Sequence, residues 1–203
     1  MAFKAHTGWA SAVVVVAERG GIGIAAKQRL VMREGFHAAA VYHRGHEGGL
    51  SADLAQPIID EAMRASIAAA QAAIGALAAS DAFSLDLAAI LAGSSRPLPG
   101  LDAILRSHPL VHTAEGEMYR TAIARACEAV GLRVVRVPAK DLQARAPAAL
   151  GLADGAVRER LESAGKASGK PWTAEQRECA LAAWMALAAT PSATPDRPSK
   201  AAR

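Results

Sequence analysis

The chain has 203 residues, a formal net charge of +4, and 52% hydrophobic residues, yet 51 positions are alanine and only 4% are aromatic. Alanine favours helix but buries little surface, so the apparent core is smaller than the percentage implies. The length suits one domain that needs no disulfide or metal staples, and the composition excludes a wholly disordered chain, a collagen and a disulfide scaffold. We expect a single domain over residues 1–189 and a disordered Pro-containing tail over 190–203.

The charge is uneven. Residues 133–203 hold 12 Lys/Arg against 7 Asp/Glu, and the first 132 hold 11 against 12. A basic C-terminal third could meet phosphates. No dense Lys/Arg block exists, so solvated helix faces and a basic tail are the plainer reading. Cys127 and Cys179 lie in Ala-rich helical patterns and read as buried small hydrophobes. Neither a secretory signal nor a bilayer-spanning run is expected, which makes a soluble cytoplasmic protein the default.

In chain order, Trp9–Ala17 predicts a strand centred on Val13–Val16. Gly20, Gly21 and Gly23 predict a turn. Leu30–Met32 and Phe36–His43 predict two further strands, the last ending in a Gly-rich loop, so the start reads as an antiparallel meander. A helix follows from about Leu54 to Ala79, with Ser51 or Asp53 as cap and Pro57 in its first turn. Leu85–Leu91 predicts a buried strand, Leu101–Ser107 a short helix, Thr113–Val130 a long helix ended by Gly131, and Leu132–Val137 a strand stopped by Pro138. Beyond Asp141 the chain is helical in pieces, with a last helix over Thr173–Ala189 capped by Thr173. The expectation is an α/β fold with a five-stranded mixed sheet, three antiparallel strands then α/β crossovers, and helices on both faces.

The segment from His112 to Arg120 is the densest polar cluster. It opens a helix, and His112 with Glu115 and Glu117 could perform general acid–base work, as in a hydrolase or nuclease. Helix capping plus an exposed face is the plainer alternative. His43, His46 and Glu47 share one Gly-rich loop and could ligate zinc or manganese, although a solvated loop explains them as well. His108 and His112 are separated by Pro109, which argues against a helical metal pair, so no metal ligands and no cofactor are assigned. Arg120, Lys170, Trp172 and Arg177 are the candidate contacts to RNA or DNA: cations for phosphate and an indole for base stacking. Against that, Pro171-Trp172 could simply staple the last helix.

Gly21-Ile22-Gly23-Ile24-Ala25-Ala26 after a valine strand looks like the phosphate loop of short-chain dehydrogenases, which would make the chain an NAD(P)-binding oxidoreductase. The expected earlier glycine is Ala17, and no Tyr-x-x-x-Lys pair occurs, so a hairpin turn is preferred. No nucleophile elbow, P-loop or clustered zinc-ligand motif is present in the sequence.

His108–Ala189 resembles the second half of Holliday-junction resolvases of the ribonuclease H-like superfamily: His112–Ala126 is similar to their helix after the fourth strand, Leu132–Pro138 to their fifth strand, and Gly169–Leu187 to their Gly-rich loop and last helix. Pro109–Glu117 and Lys170-Pro171-Trp172 with Ala180–Leu187 also resemble a family of bacterial proteins of unknown activity. The resemblance implies a ribonuclease H-like fold and a nuclease that holds two metal ions on carboxylates from its first strand, fourth strand and last helix. The residues depart from that pattern. The segment from His6 to Val16 has no acidic residue, the fourth strand offers only Asp86, and Ala180–Ala189 offers none. The leading expectation is therefore a ribonuclease H-like protein without the two-metal carboxylate site, associated with nucleic acid as a binding protein.

Overall fold

The computed structural model describes residues 1–93 and 96–190. The tail expected at 190–203 lies, apart from Thr190, outside the described residues. The first three strands are β1 (Ala2–His6), β2 (Trp9–Glu18) and β3 (Gly21–Val31). Then come helices α1 (Phe36–Ala39), α2 (Val41–Glu47) and α3 (Ala52–Ala78). β4 (Leu87–Ala92), α4 (Leu101–Leu105), α5 (His108–Ala129) and β5 (Arg133–Pro138) follow. The chain then forms α6 (Leu142–Leu150), α7 (Asp154–Ala167) and α8 (Ala174–Ala188). The strands form one mixed sheet in the order β3-β2-β1-β4-β5, antiparallel from β1 to β3 and parallel where β1 meets β4 and β4 meets β5. The expected α/β class, five-stranded mixed sheet and helices on both faces are present.

The meander is shifted along the chain. The strand expected at Trp9–Ala17 is β2, but its partners are β1 before it and β3 over Gly21–Val31, and the third expected strand, Phe36–His43, is instead α1 and the start of α2. The reason is tertiary. Gly35, at φ 75, breaks the extended path, and the carboxylate of Glu115 in α5 meets the first amides of α2. The Gly21–Ala26 segment forms the start of β3, paired antiparallel with β2 across the Arg19-Gly20 turn. A dinucleotide loop needs a parallel strand–helix–strand unit here, so Gly21–Ala26 is a hairpin strand and not such a loop.

Alternate residues of each strand serve opposite faces, as the two-residue period requires. Phe3, Ala12, Val14, Ala88 and Ile90 pack with α1–α5, whereas Ala2, Val13, Val15, Ala89 and Leu91 pack with α6–α8. The alanines let helices lie close. α3 buries Ala55, Ile59, Ala62, Ser66, Ala70 and Ile74 along one stripe, and α8 buries Ala180, Ala182, Ala183 and Ala186. Thr173 caps α8 as expected: its side chain accepts from the Gln176 amide, and the Gln176 side chain accepts from the Thr173 amide. Among the described residues no helix is long and apolar enough to cross a membrane.

Candidate metal centre

The N-terminal half of α5 carries the site. Pro109 was expected to separate His108 from His112, but it occupies the first turn of α5, where a missing N–H leaves no bond unmade. His108 and His112 are therefore one helical turn apart on the same face. Their rings meet edge to face with centroids 4.4 Å apart. His43, on α2, joins them: its ring centroid is 4.4 Å from that of His112, and its Nε2 is 3.2 Å from His112 Nδ1. One nitrogen from each of His43, His108 and His112 lies within 4.8 Å of the other two.

Glu115 holds the centre from below. It is 1% exposed, and its carboxylate accepts from the backbone amides of Val41, Tyr42 and His43 at 3.2, 3.1 and 3.4 Å. The same carboxylate stands 3.0 Å from His43 Nδ1. An ionised carboxylate only accepts, so Nδ1 donates to it, and in the neutral ring of that tautomer the Nε2 lone pair faces His112. Burial pushes the Glu115 carboxyl above its ordinary value, opposed by the His43 ring and the α2 amides. His112 is held below the ordinary imidazole range by desolvation first, then by the facing His43 and His108. Neutral imidazole is the form that ligates a metal.

Tyr119, the next buried residue on this stripe of α5, donates from its hydroxyl to the Ala39 carbonyl at 2.8 Å and ties α1 to the helix. Burial pushes its phenol well above the ordinary range. His46 stands beside His108 and donates from Nδ1 to the Leu105 carbonyl at 2.7 Å. Phe36, 68% exposed, has its ring 5.8 Å from that of His43.

The expected trio of His112, Glu115 and Glu117 is divided. Glu115 turns inward to α2. Glu117 pairs with Arg120 at 2.9 Å and with Arg136 of β5. These two arginines outweigh the upward push of burial and hold the Glu117 carboxyl below its ordinary value. The set His43, His46 and Glu47 belongs to α2 rather than to a loop, and only His43 is in the three-histidine cluster.

The candidate nucleic-acid contacts also divide. Arg120 lies on the α5 face of the sheet. Lys170, Trp172 and Arg177 lie by α8, on the other face. Arg177 Nη1 donates to the Trp172 carbonyl at 3.2 Å, and its Nε is 3.7 Å from Glu162. The Lys27 ammonium stands 5.8 Å over the Trp172 ring. Lys170 is exposed in the loop before α8. Where the resemblance puts carboxylates on the first strand and last helix, Lys4 of β1 pairs with Glu178 of α8 at 2.8 Å. Asp86 is exposed just before β4, 3.4 Å from the Ser84 hydroxyl.

Burial pushes the Cys127 and Cys179 thiols up to about 12, which keeps both protonated near neutral pH.

No family model, no curated protein and no solved structure matches this chain.

Proposed function

We propose that the chain holds a divalent transition metal, zinc foremost, on His43, His108 and His112, as a hydrolase whose centre is displaced from the position of the ribonuclease H-like carboxylates. The observation that carries this is the convergence of one nitrogen from each histidine within 4.8 Å. A tetrahedral zinc with bonds of about 2.0–2.1 Å places its ligand atoms about 3.3–3.4 Å apart. The 3.2 Å separation of His43 Nε2 and His112 Nδ1 is close to that edge. Glu115 supplies the carboxylate that commonly orients a metal-bound imidazole through its second nitrogen. Three histidines leave a fourth position open, and His108 and His112 are exposed, so that position is reachable from solvent. A cation there would act as a Lewis acid on bound water, the chemistry of hydrolysis.

The test is zinc titration of the chelator-treated chain by calorimetry and by metal analysis after desalting. One equivalent bound with sub-micromolar affinity is expected, and His43→Ala and His112→Ala should each weaken it at least a hundredfold while retaining the circular dichroism of the parent. Binding below half an equivalent, or binding unchanged in both variants, would overturn the reading.

The resemblance to the ribonuclease H-like superfamily remains part of this proposal. Its support is the sheet, three antiparallel strands continued by parallel β4 and β5. Association with RNA or DNA is the second reading, and it is favoured by the grouping of Lys27 of β3, Lys170 and Trp172 of the loop before α8, and Arg177 of the first turn of α8. Salt-sensitive retention of an oligonucleotide on a filter, lost in Lys170→Ala/Arg177→Ala, tests that reading apart from the metal.

A further inference from the structure

A second site lies one stripe around α5 from the histidines. β4 and β5 run parallel, and their C-terminal ends open into a cavity of about 510 Å³ between Gly93, Leu98, Thr113 and Pro138. Ligands of open α/β sheets sit in crevices outside the carboxyl ends of parallel strands. The chemistry of this crevice is set by arginine. Arg120 from α5 and Arg136 from β5 share the single carboxylate Glu117, and Arg96 adds a third guanidinium to the wall. Between them, Arg120 and Arg136 against Glu117 leave an excess of one positive charge.

Glu117 takes Nε of Arg120 and one Nη of Arg136. A guanidinium has five N–H donors, so each keeps others for a ligand. The carboxylate between them holds both forks in place before any ligand arrives. Gly116 makes room for Arg120, whose side chain is 14% exposed, and Gly93 lies against the same guanidinium at ordinary contact distance. A Cβ on Gly116 would stand 3.1 Å from its Nη1, and one on Gly93 would stand 3.5 Å from its Nη2. A guanidinium packed closely over Gly116 and paired through its Nε with Glu117 is restricted in direction, as bidentate recognition of a phosphate requires. The Thr113 hydroxyl, on the same wall, is already committed to the Pro109 carbonyl at 3.0 Å, so its lone pairs but not its proton remain for a ligand. That leaves the arginines as the donors.

We infer that this cavity binds a phosphate group through Arg120 and Arg136, with Glu117 as the positioning residue that braces them. The phosphate could be that of a small phosphorylated molecule or a backbone phosphate of a nucleic acid, since the donors are the same.

The experiment uses the full chain, isotopically labelled, with EDTA present so that no cation at the histidine centre coordinates the ligand. Inorganic phosphate is titrated while the arginine Nε–Hε resonances are followed. Saturable shifts confined to Arg96, Arg120 and Arg136 are expected, with binding weakened at least tenfold in Arg136→Ala. Arg136 is half-exposed on an edge strand, so this variant should keep the fold, and Arg158→Ala, which removes an exposed cation of α7, should bind as the parent does. A short oligonucleotide without terminal phosphate is the second arm. If it displaces phosphate, the source is a backbone; if phosphate binds and the oligonucleotide does not compete, the source is a small molecule. Shifts that do not saturate, or equal affinity in Arg136→Ala and the parent, would overturn the proposal. Loss of zinc binding leaves this result unchanged, so the two sites fail separately.

Discussion

Glu115 and His43 are joined twice: the carboxylate lies 3.0 Å from the ring Nδ1 and 3.4 Å from the amide nitrogen of the same residue. One side chain thus fixes both the start of α2 and the direction of the imidazole it presents. Charge-assisted bonds of this kind contribute about 1.5–3 kcal/mol, more than neutral ones. Glu115→Gln keeps the shape but loses the charge and turns an N–H₂ toward donors. We expect it to weaken zinc binding about 10–100-fold and to lower stability by about 2–3 kcal/mol. Competition with a chromogenic chelator reads the first and urea unfolding of the metal-free chain reads the second. Parental zinc affinity in a folded Glu115→Gln protein would show that the carboxylate does not orient the ring.

This pairing also explains what the sequence left hidden. β2 was legible because Val13–Val16 is a β-branched run, β5 because Leu132–Val137 lies between Gly131 and Pro138, and the start of α8 because Thr173 is a good cap. β1 was not, since Ala2–His6 is short and contains no β-branched residue, and it is a strand because β2 and β4 flank it. Phe36–His43 looked extended, and only a carboxylate 72–74 residues further on decides that its second half starts a helix. The three-histidine cluster was half legible. His112 and Glu115 stood out as a polar cluster, but pairing His108 with His112 needed the observation that Pro109 opens the helix rather than breaking it. His43 could not be added without the tertiary fold. Alternation along α5 also separates Glu115 from Glu117, because residues two apart do not share a helix face.

Tyr119 is the other tie between α5 and the segment that carries His43. Its buried hydroxyl donates to the Ala39 carbonyl, between α1 and α2. Tyr119→Phe removes the donor and leaves that carbonyl unpaired, at a cost of about 1–3 kcal/mol. The expected result is a lower urea midpoint with an unchanged m-value, and faster amide exchange at Ala40–Tyr42 than in the parent. A neutral variant with unchanged exchange would show that α1 and α2 are held by apolar packing alone.

Glu117 gives the acid limb of stability a local test. Arg120 and Arg136 hold its folded carboxyl below the ordinary value despite the opposing effect of burial. A folded value below the unfolded one means that the stabilisation is complete above the unfolded value, 4.5, and is lost as the pH falls through the folded value. The carboxylate is one-third exposed, so solvent screening limits the contribution to about 0.5–1 kcal/mol. Urea unfolding at pH 7 should find the parent more stable than Glu117→Gln by that amount, and at pH 3 the gap should have closed. A gap of the same size at both values would mean that the arginine pairing contributes nothing to it.

On the opposite face, Gly165 of α7 underlies the indole of Trp172, and a Cβ at Gly165 would intrude into the ring. The loop that carries the indole is tethered on its backbone. The Trp172 carbonyl accepts from Arg177, and the Lys27 ammonium bonds the carbonyls of Gly169 and Pro171 on either side of the loop. Alanine improves helix propensity by roughly 1 kcal/mol over glycine at an unconstrained site. Overpacking here should exceed that gain, because displacing a packed ring costs about 1–3 kcal/mol. Gly165→Ala is therefore expected to lower the urea midpoint rather than raise it. In the Trp172→Ala background the ring is absent, the clash vanishes, and the same substitution should raise the midpoint. The reversal of sign is the discriminating result: an effect of equal size and sign in both backgrounds would place the cost in the α7 backbone and not in the contact with Trp172.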